Sequence, residues 1–187
     1  MKLAIKLRDY DHQLSARIAA QPGTIHSKMQ LLSSVAKPGV VFALVATLTL
    51  YGALGGMALL VTFGLSVIVT LGACLLLKLI VRRVRPDTTY RQAHQRFSYS
   101  FPSGHTAGIS GLLGAFAMAF APELSEPWGA IAVGGALCII LFVAYSRVYL
   151  GAHYVSDVIA GIFFGIIGVF ACYTLFSSYV DSINAWR

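Results

Sequence analysis

The feature that most constrains this chain is the run of residues 38–77, which contains no Asp, Glu, Lys, Arg or His. A helix needs roughly 20 apolar residues to cross the hydrocarbon core of a bilayer, and this run is about twice that length. It therefore has room for two crossings joined by a turn. The pair Gly55-Gly56 suits that turn, because glycine favours chain reversal. We predict spans near 38–54 and 57–77.

Three further stretches are uncharged, and each is close to the length of one spanning helix. They are residues 106–122, 127–146 and 158–180. The chain is 57% hydrophobic and 11% charged, which fits a membrane bundle rather than a soluble domain. The alternating pattern of a membrane barrel is absent from the sequence. We predict an all-α, multi-pass transmembrane helical bundle with about five spans over residues 38–180, which forms a single domain with residues 1–37.

Residues 1–37 have a different pattern, in which apolar residues recur at steps of three and four. These apolar residues are Leu3, Leu7, Tyr10, Leu14 and Ile18. The spacing predicts an amphipathic helix that ends before Pro22-Gly23. Such a helix lies either in the headgroup layer, which its basic residues favour, or across the mouth of the bundle.

The first of three polar stretches that interrupt the apolar chain contains Lys78 and Arg85. Their separation of seven residues is two helical turns, so a helix that continues through both would project them from nearly the same face. Together they could bind one anion. A second interpretation is a positive flank at a membrane boundary, because further arginines crowd the segment. These arginines are Arg82, Arg83, Arg91 and Arg96.

The second polar stretch, residues 102–105, reads Pro-Ser-Gly-His and opens a predicted helix. Ser103 is a suitable N-cap, and Gly104 lets the backbone approach a ligand closely. The amides at a helix start favour phosphate. The alternative is an ordinary capped helix in which His105 has a structural role.

The third polar stretch contains Arg147, His153 and Asp157. The interval of four between the last two predicts imidazole and carboxylate side by side on one helix. A carboxylate that accepts a hydrogen bond from one imidazole nitrogen fixes the tautomer and leaves the other nitrogen free to attack. A helix-stabilising pair is the simpler interpretation. However, each of the three stretches lies at the end of an uncharged run. If the chain crosses the membrane an even number of times between them, all three lie at one membrane face. Together they contain the groups that phosphoryl transfer requires.

The order and spacing of these stretches resemble the three signature motifs of the type 2 phosphatidic acid phosphatase family, membrane relatives of the vanadium-dependent haloperoxidases. Residues 78–86 fit Lys-x6-Arg-Pro, residues 102–105 fit Pro-Ser-Gly-His, and residues 146–157 fit Ser-Arg-x5-His-x3-Asp. No motif position is substituted. Family members often have six spans, whereas here an amphipathic helix stands where the first span would be.

The resemblance implies a role for each motif residue. His153 would be the nucleophile that forms a phosphohistidine, Asp157 would orient it, and His105 would protonate the leaving oxygen. The phosphate oxygens would be held by Lys78, Arg85, Ser103, Gly104 and Arg147.

We therefore expect an integral membrane lipid phosphatase acting on phosphatidic acid, phosphatidylglycerol phosphate or undecaprenyl pyrophosphate. No cofactor or metal is expected, because only Asp87 and Asp157 lie near the motifs and magnesium normally has more oxygen ligands. The expected partners are the membrane and its lipid phosphates, and not nucleic acid; the sequence does not define the oligomeric state. A lipid phosphotransferase with the same intermediate and a non-catalytic lipid-binding or transport protein remain open. A haloperoxidase is disfavoured because those relatives are soluble.

We expect the chain in a bacterial inner membrane, but two arguments disagree about the side that carries the site. With five spans, every Lys and Arg except Arg187 lies on the motif side, which the positive-inside rule places in the cytoplasm. The resemblance implies an extracytoplasmic site, and several of these cations belong to the motifs themselves. Both orientations stay open.

Overall fold

The computed structural model describes residues 2–21, 23–88, 90 and 98–184, and within them it contains helices and no β-strand. The α-helices are α1 (Lys2–Ala19), α2 (His26–Val35), α3 (Pro38–Leu54), α4 (Ala58–Val81), α5 (Gly104–Phe120), α6 (Trp128–Tyr149) and α7 (Val155–Asn184). Short 3-10 turns occupy Gly23–Ile25 and Ala121–Glu123. The predicted all-α fold class is confirmed. Arg91, Arg96 and Arg187 lie outside the described residues.

Five helical segments in the described chain are long and apolar enough to cross a membrane, as predicted. They are Gly23–Leu54, Ala58–Val81, Gly104–Glu123, Trp128–Tyr149 and Val155–Phe176. The turn between the first two falls at Gly56, whose φ of 68° is the left-handed conformation that glycine adopts readily. The chain is therefore a multi-pass membrane protein.

The later helices extend beyond the uncharged runs that predicted them. α6 continues through Arg147, and α7 begins at Val155 rather than at residue 158. Asp157 lies in the first turn of α7 and Arg147 in the last turn of α6, where each charge is favourable to the helix dipole. The first charged residue after an uncharged run therefore does not mark the end of the helix.

α7 packs mainly against α5 and α4. Small residues permit this close approach, as is usual between membrane helices. A Cβ added to Gly161 of α7 would lie 2.8 Å from the carbonyl oxygen of Ser103, and one added to Gly165 would lie 2.5 Å from that of Ala107. The start of α5 is consequently held directly against the first turns of α7.

α1 and α2 cover the end of the bundle at which the three polar stretches lie. α1 contacts α6 and α7, and Ile18 packs against a buried cluster that includes Val148 and Val158. α1 therefore lies across the bundle mouth. Leu3, Leu7 and Tyr10 of its apolar face are exposed, so its location in the headgroup layer stays a prediction. α2, which also contacts α6, was not predicted from the sequence.

Candidate active site

The first polar stretch begins at Lys78 in the last turn of α4, where its ammonium donates a hydrogen bond to the carbonyl oxygen of Tyr99 at 3.2 Å. α4 ends at Val81, and Arg82 follows with a left-handed φ of 50°. The prediction that one helix carries both Lys78 and Arg85 is therefore wrong. The chain leaves the helix between them, and residues 82–88 have no regular structure.

Arg85 is buried, and its guanidinium connects two polar stretches. Its Nε donates to the carbonyl and the hydroxyl oxygens of Ser98, each at 3.1 Å. Its Nη1 donates to the carbonyl oxygen of Ala152 at 2.7 Å and lies 2.9 Å from Nε2 of His153. A planar guanidinium can make all of these contacts at once because its donors are fixed in a fork. Arg85 thus joins the first stretch to the third.

The second polar stretch forms the start of α5, and the predicted N-cap is confirmed. The Ser103 hydroxyl accepts hydrogen bonds from the amide and the hydroxyl of Thr106, and the Ser103 amide donates to the carbonyl oxygen of Asp157 at 3.0 Å. A Cβ at Gly104 would lie 3.6 Å from Cε of Lys78. His105, the second residue of α5, is half-buried. The beginning of α5 therefore lies between Lys78 and α7.

Arg147 brings a buried cation to the same place from the last turn of α6, and it is 0% exposed. Its Nη1 donates to the Ser33 hydroxyl and lies 3.5 Å from the Tyr90 hydroxyl. Its Nε and Nη2 have no hydrogen-bond partner among the described residues. Unsatisfied buried donors on a guanidinium are costly, and an anion would satisfy them.

His153 is 1% exposed and lies two residues before α7 begins, so the prediction that His153 and Asp157 share one helix is wrong. Since the Arg85 guanidinium can only donate, Nε2 of His153 accepts from it and Nδ1 carries the hydrogen. Burial, followed by the positive charges of Arg85, Arg147 and Lys78, lowers the pKa of His153 well below its usual range. The imidazole is therefore neutral at neutral pH, the form that can act as a nucleophile.

Asp157 lies in the first turn of α7 beside His153, and both of its oxygens have other partners. Oδ2 accepts from the Tyr154 amide at 2.9 Å, and Oδ1 accepts from Arg83 at 2.8 Å. The distance from Oδ2 to Nδ1 of His153 is 3.6 Å, just beyond a hydrogen bond. In this geometry the carboxylate faces the imidazole without bonding to it.

Two charged residues near Asp157 were missed by the sequence analysis. Arg83 was interpreted as one of several flanking arginines, but it forms ion pairs of 2.8 Å with both Asp157 and Asp11. Asp11 belongs to α1 and to no motif. Nothing in the local sequence distinguishes Arg83 from its neighbours, because its partners are more than 70 residues away along the chain.

The polar cluster lies between two cavities of different character. A cavity of about 440 Å³ runs between α3 and α4, is lined by apolar residues such as Phe42, Leu71 and Leu75, and ends at Lys78 and Gly104. A second cavity of about 220 Å³ lies beside His153 under α1 and has a mixed lining, in which His12, Ser15 and Asp87 stand beside apolar residues. The arrangement fits an anion with an apolar part. Among the described residues, no group of three or more His, Cys, Asp or Glu side chains is placed to hold a metal.

Comparison with known proteins gives a consistent picture. The sequence model of the PAP2 superfamily matches residues 55–180. A lipid A 1-phosphatase of Rhizobium etli is 37% identical over 99 residues, covering 48% of this chain and 38% of that protein. A phosphatidylglycerophosphatase B of Bacillus subtilis is 35% identical over 94 residues, covering 49% of this chain and 45% of that protein. The chain thus matches less than half the length of these curated relatives.

The fold is also similar to a crystal structure, that of a transmembrane PAP2 type phosphatidylglycerolphosphate phosphatase from Bacillus subtilis. The TM-score is 0.70 at 24% identity, and the similarity covers 97% of this chain and 90% of the other. At this identity the comparison concerns the arrangement of the helices.

Proposed function

Because this chain belongs to the PAP2 superfamily, we propose that it is an integral membrane lipid phosphatase that acts through a phosphohistidine formed on His153. The observation that carries the proposal is the buried cluster around the neutral His153 ring. In it, Arg147 has two donor atoms without a partner among the described residues, and Arg85 touches the imidazole directly. A buried guanidinium such as that of Arg147, with two donor atoms unpaired among the described residues and a neutral imidazole nearby, favours a phosphate ester over a neutral ligand.

The apolar cavity between α3 and α4 supports a lipid as the carrier of that phosphate. Its volume of about 440 Å³ is in the range of ligand sites, and its polar end is formed by Lys78 and the Gly104 backbone. A lipid tail would occupy the apolar part while the phosphate reaches the cation cluster. The smaller cavity beside His153, whose lining includes polar groups, has room for part of a head group or for water.

In the first chemical step, the Arg85 guanidinium transfers its hydrogen bond from Nε2 of His153 to a phosphoryl oxygen, which frees the Nε2 lone pair. Nε2 then attacks the phosphorus atom, an N–P bond forms, and the P–O bond to the lipid or lipid phosphate breaks. His105 enters this step in its protonated form, gives a proton to the leaving oxygen and becomes neutral. The imidazole ring becomes positively charged, and Asp157 stabilises this charge because Oδ2 already faces Nδ1. Lys78, Arg85 and Arg147, with Ser103 and the Gly104 amide, stabilise the charge on the phosphoryl oxygens.

In the second step, water attacks the phosphorus atom and the N–P bond breaks. His105 takes a proton from the water, inorganic phosphate leaves, and His153 returns to its neutral form. Protein cations neutralise charge throughout, so we propose that no divalent metal takes part. The same intermediate could be passed to a lipid hydroxyl, which would release no phosphate.

The substrate is proposed to be a membrane lipid with a terminal phosphate or pyrophosphate. The names of the matched relatives point to lipid A 1-phosphate and phosphatidylglycerol phosphate, and the motifs allow phosphatidic acid and undecaprenyl pyrophosphate as well. Since these relatives are bacterial, we place the chain in a bacterial inner membrane.

We predict that the purified protein releases inorganic phosphate from at least one of these four lipids in excess EDTA. Charge neutralisation by Lys78, Arg85 and Arg147 makes a divalent ion unnecessary. The measurement is phosphate release from each lipid in detergent micelles, with and without EDTA and added magnesium. Activity that disappears in EDTA and returns with magnesium would overturn metal independence, and transfer of phosphate to another lipid without release would favour the phosphotransferase.

A further inference from the structure

The start of α7, which follows His153 directly, is capped by side chains of α1. The Val155 amide donates to the Ser15 hydroxyl at 2.9 Å, and the Ser156 amide donates to Oδ1 of Asp11 at 3.0 Å. The first amides of a helix have no partner within the helix and require one from elsewhere. Residues about 140 positions away supply it here, so α1 fixes the beginning of the helix that carries Asp157.

A second connection runs from Asp11 to Asp157 through Arg83. Nη2 of Arg83 donates to Oδ2 of Asp11 at 2.8 Å, while Nη1 donates to Oδ1 of Asp157 at 2.8 Å and to the Ser156 hydroxyl at 2.7 Å. Burial by itself raises the pKa of Asp11, but hydrogen bonds from Ser156 and Arg83 outweigh it and lower the pKa of Asp11. Asp11 is therefore ionised at neutral pH. The Arg83 side chain is only 22% exposed, so this ion-pair network is largely protected from solvent.

The residue between His153 and α7 is held by the same elements. The His12 ring of α1 stacks on the Tyr154 ring with centroids 4.3 Å apart and planes 8° from parallel. The Arg83 guanidinium carbon lies 4.2 Å from the centre of that ring. Three consecutive residues, Tyr154 to Ser156, thus contact α1 or Arg83 immediately after the proposed nucleophile.

We propose that Asp11 is a positioning residue for the His153–Asp157 pair, acting through Arg83; this inference rests on the proposed function. By occupying one nitrogen of Arg83, Asp11 limits that guanidinium to a single oxygen of Asp157. The other oxygen then faces Nδ1 of His153 at 3.6 Å. Without the Asp11 carboxylate, Arg83 would pair with both oxygens of Asp157, as arginine readily does with a lone carboxylate. The carboxylate would then turn away from the imidazole.

The test compares Asp11→Asn with Asp11→Glu, using Asp9→Asn as a control on an exposed residue of the same helix. We expect Asp11→Asn to lower kcat by roughly tenfold to 100-fold, a loss comparable to that caused by removing a residue that orients a metal-bound histidine, with KM within about twofold. Asp11→Glu restores most of the loss because it keeps the charge, and Asp9→Asn has no effect. Wild-type kcat in Asp11→Asn, or equal losses in Asp11→Asn and Asp11→Glu, would overturn the proposal.

Two further variants separate positioning from simple anchoring of α1. Ser15→Ala removes a cap of α7 without touching Arg83, and we expect its kcat to stay within about threefold of wild type. A loss equal to that of Asp11→Asn would mean that α1 acts only as an anchor. If Asp11→Asn does not fold, Arg83→Lys tests the same link between Asp11 and Asp157, because a lysine cannot bridge both carboxylates in this geometry. Arg83→Lys with wild-type kcat would also contradict the proposal.

Direct titration with vanadate, a phosphate analogue that can accept a nitrogen ligand, makes the test independent of the lipid chosen. We expect Asp11→Asn to weaken vanadate binding by a factor similar to its loss in kcat. Unchanged vanadate binding in Asp11→Asn would overturn the positioning role. Vanadate binding by the wild type without phosphate release from any lipid would count against the proposed function alone.

Discussion

Replacement of His153 by alanine is expected to reduce phosphate release by roughly 10⁴-fold or more, because it removes the covalent route while leaving the cation cluster in place. The effect should be on kcat, since Arg85, Arg147 and Lys78 still bind phosphate. The measurement is phosphate release by purified His153→Ala with the lipid that the wild type hydrolyses best. The unfolding temperature of both proteins in the same detergent shows whether the variant is folded.

The matched control for this variant is His26→Ala, because His26 is an exposed histidine at the start of α2. It should retain wild-type activity. Substantial release of phosphate by folded His153→Ala would show that another group makes the attack, and His105 would then be the first residue to examine.

Loss of the Arg85 guanidinium has the second largest expected effect. Arg85→Gln should lower kcat/KM by roughly 10³-fold, since it removes a buried donor that contacts His153 and that we propose binds the phosphoryl oxygens in the transition state. Arg85→Lys restores the charge but not the fork that binds Ser98 and Ala152, so it should remain far below wild type. Steady-state kinetics of both variants measure these effects.

Arg82→Gly is the control for the Arg85 variants. The Arg82 side chain is exposed, and glycine accepts its left-handed φ of 50° without strain. We expect nearly unchanged kinetics. If Arg85→Lys and Arg82→Gly both resemble the wild type, Arg85 contributes only general positive charge, and the role proposed for its guanidinium contacts is incorrect.

The spans could be predicted from the sequence because the bilayer imposes a length and an absence of charge. The run of residues 38–77 therefore located α3, the turn and the start of α4 almost to the residue. The last turns were less accurate, since charged residues are stable at helix ends, as Arg147 and Asp157 show. Helix boundaries near the site thus had to come from the structure.

The geometry of the site was only partly predictable. The motif spacing identified which residues should meet, but it assumed helical continuity from Lys78 to Arg85 and from His153 to Asp157. The left-handed Arg82 and the non-helical position of His153 broke both assumptions. The ion pair between Asp11 and Arg83 could not be predicted from the sequence, because it depends on how α1 packs across the bundle. An acidic residue on an amphipathic helix normally indicates only a solvated face.

The most direct test of the account is to trap the covalent intermediate. The purified protein is incubated briefly with a lipid substrate that carries a radioactive terminal phosphate, quenched in alkaline detergent, and analysed by peptide mapping. We predict a labelled protein whose phosphate is stable in alkali, is lost in acid as expected for an N–P bond, and maps to the peptide that contains His153; His153→Ala should carry no label. An active wild type with its label on a different residue, or label of equal intensity in His153→Ala, would contradict the account.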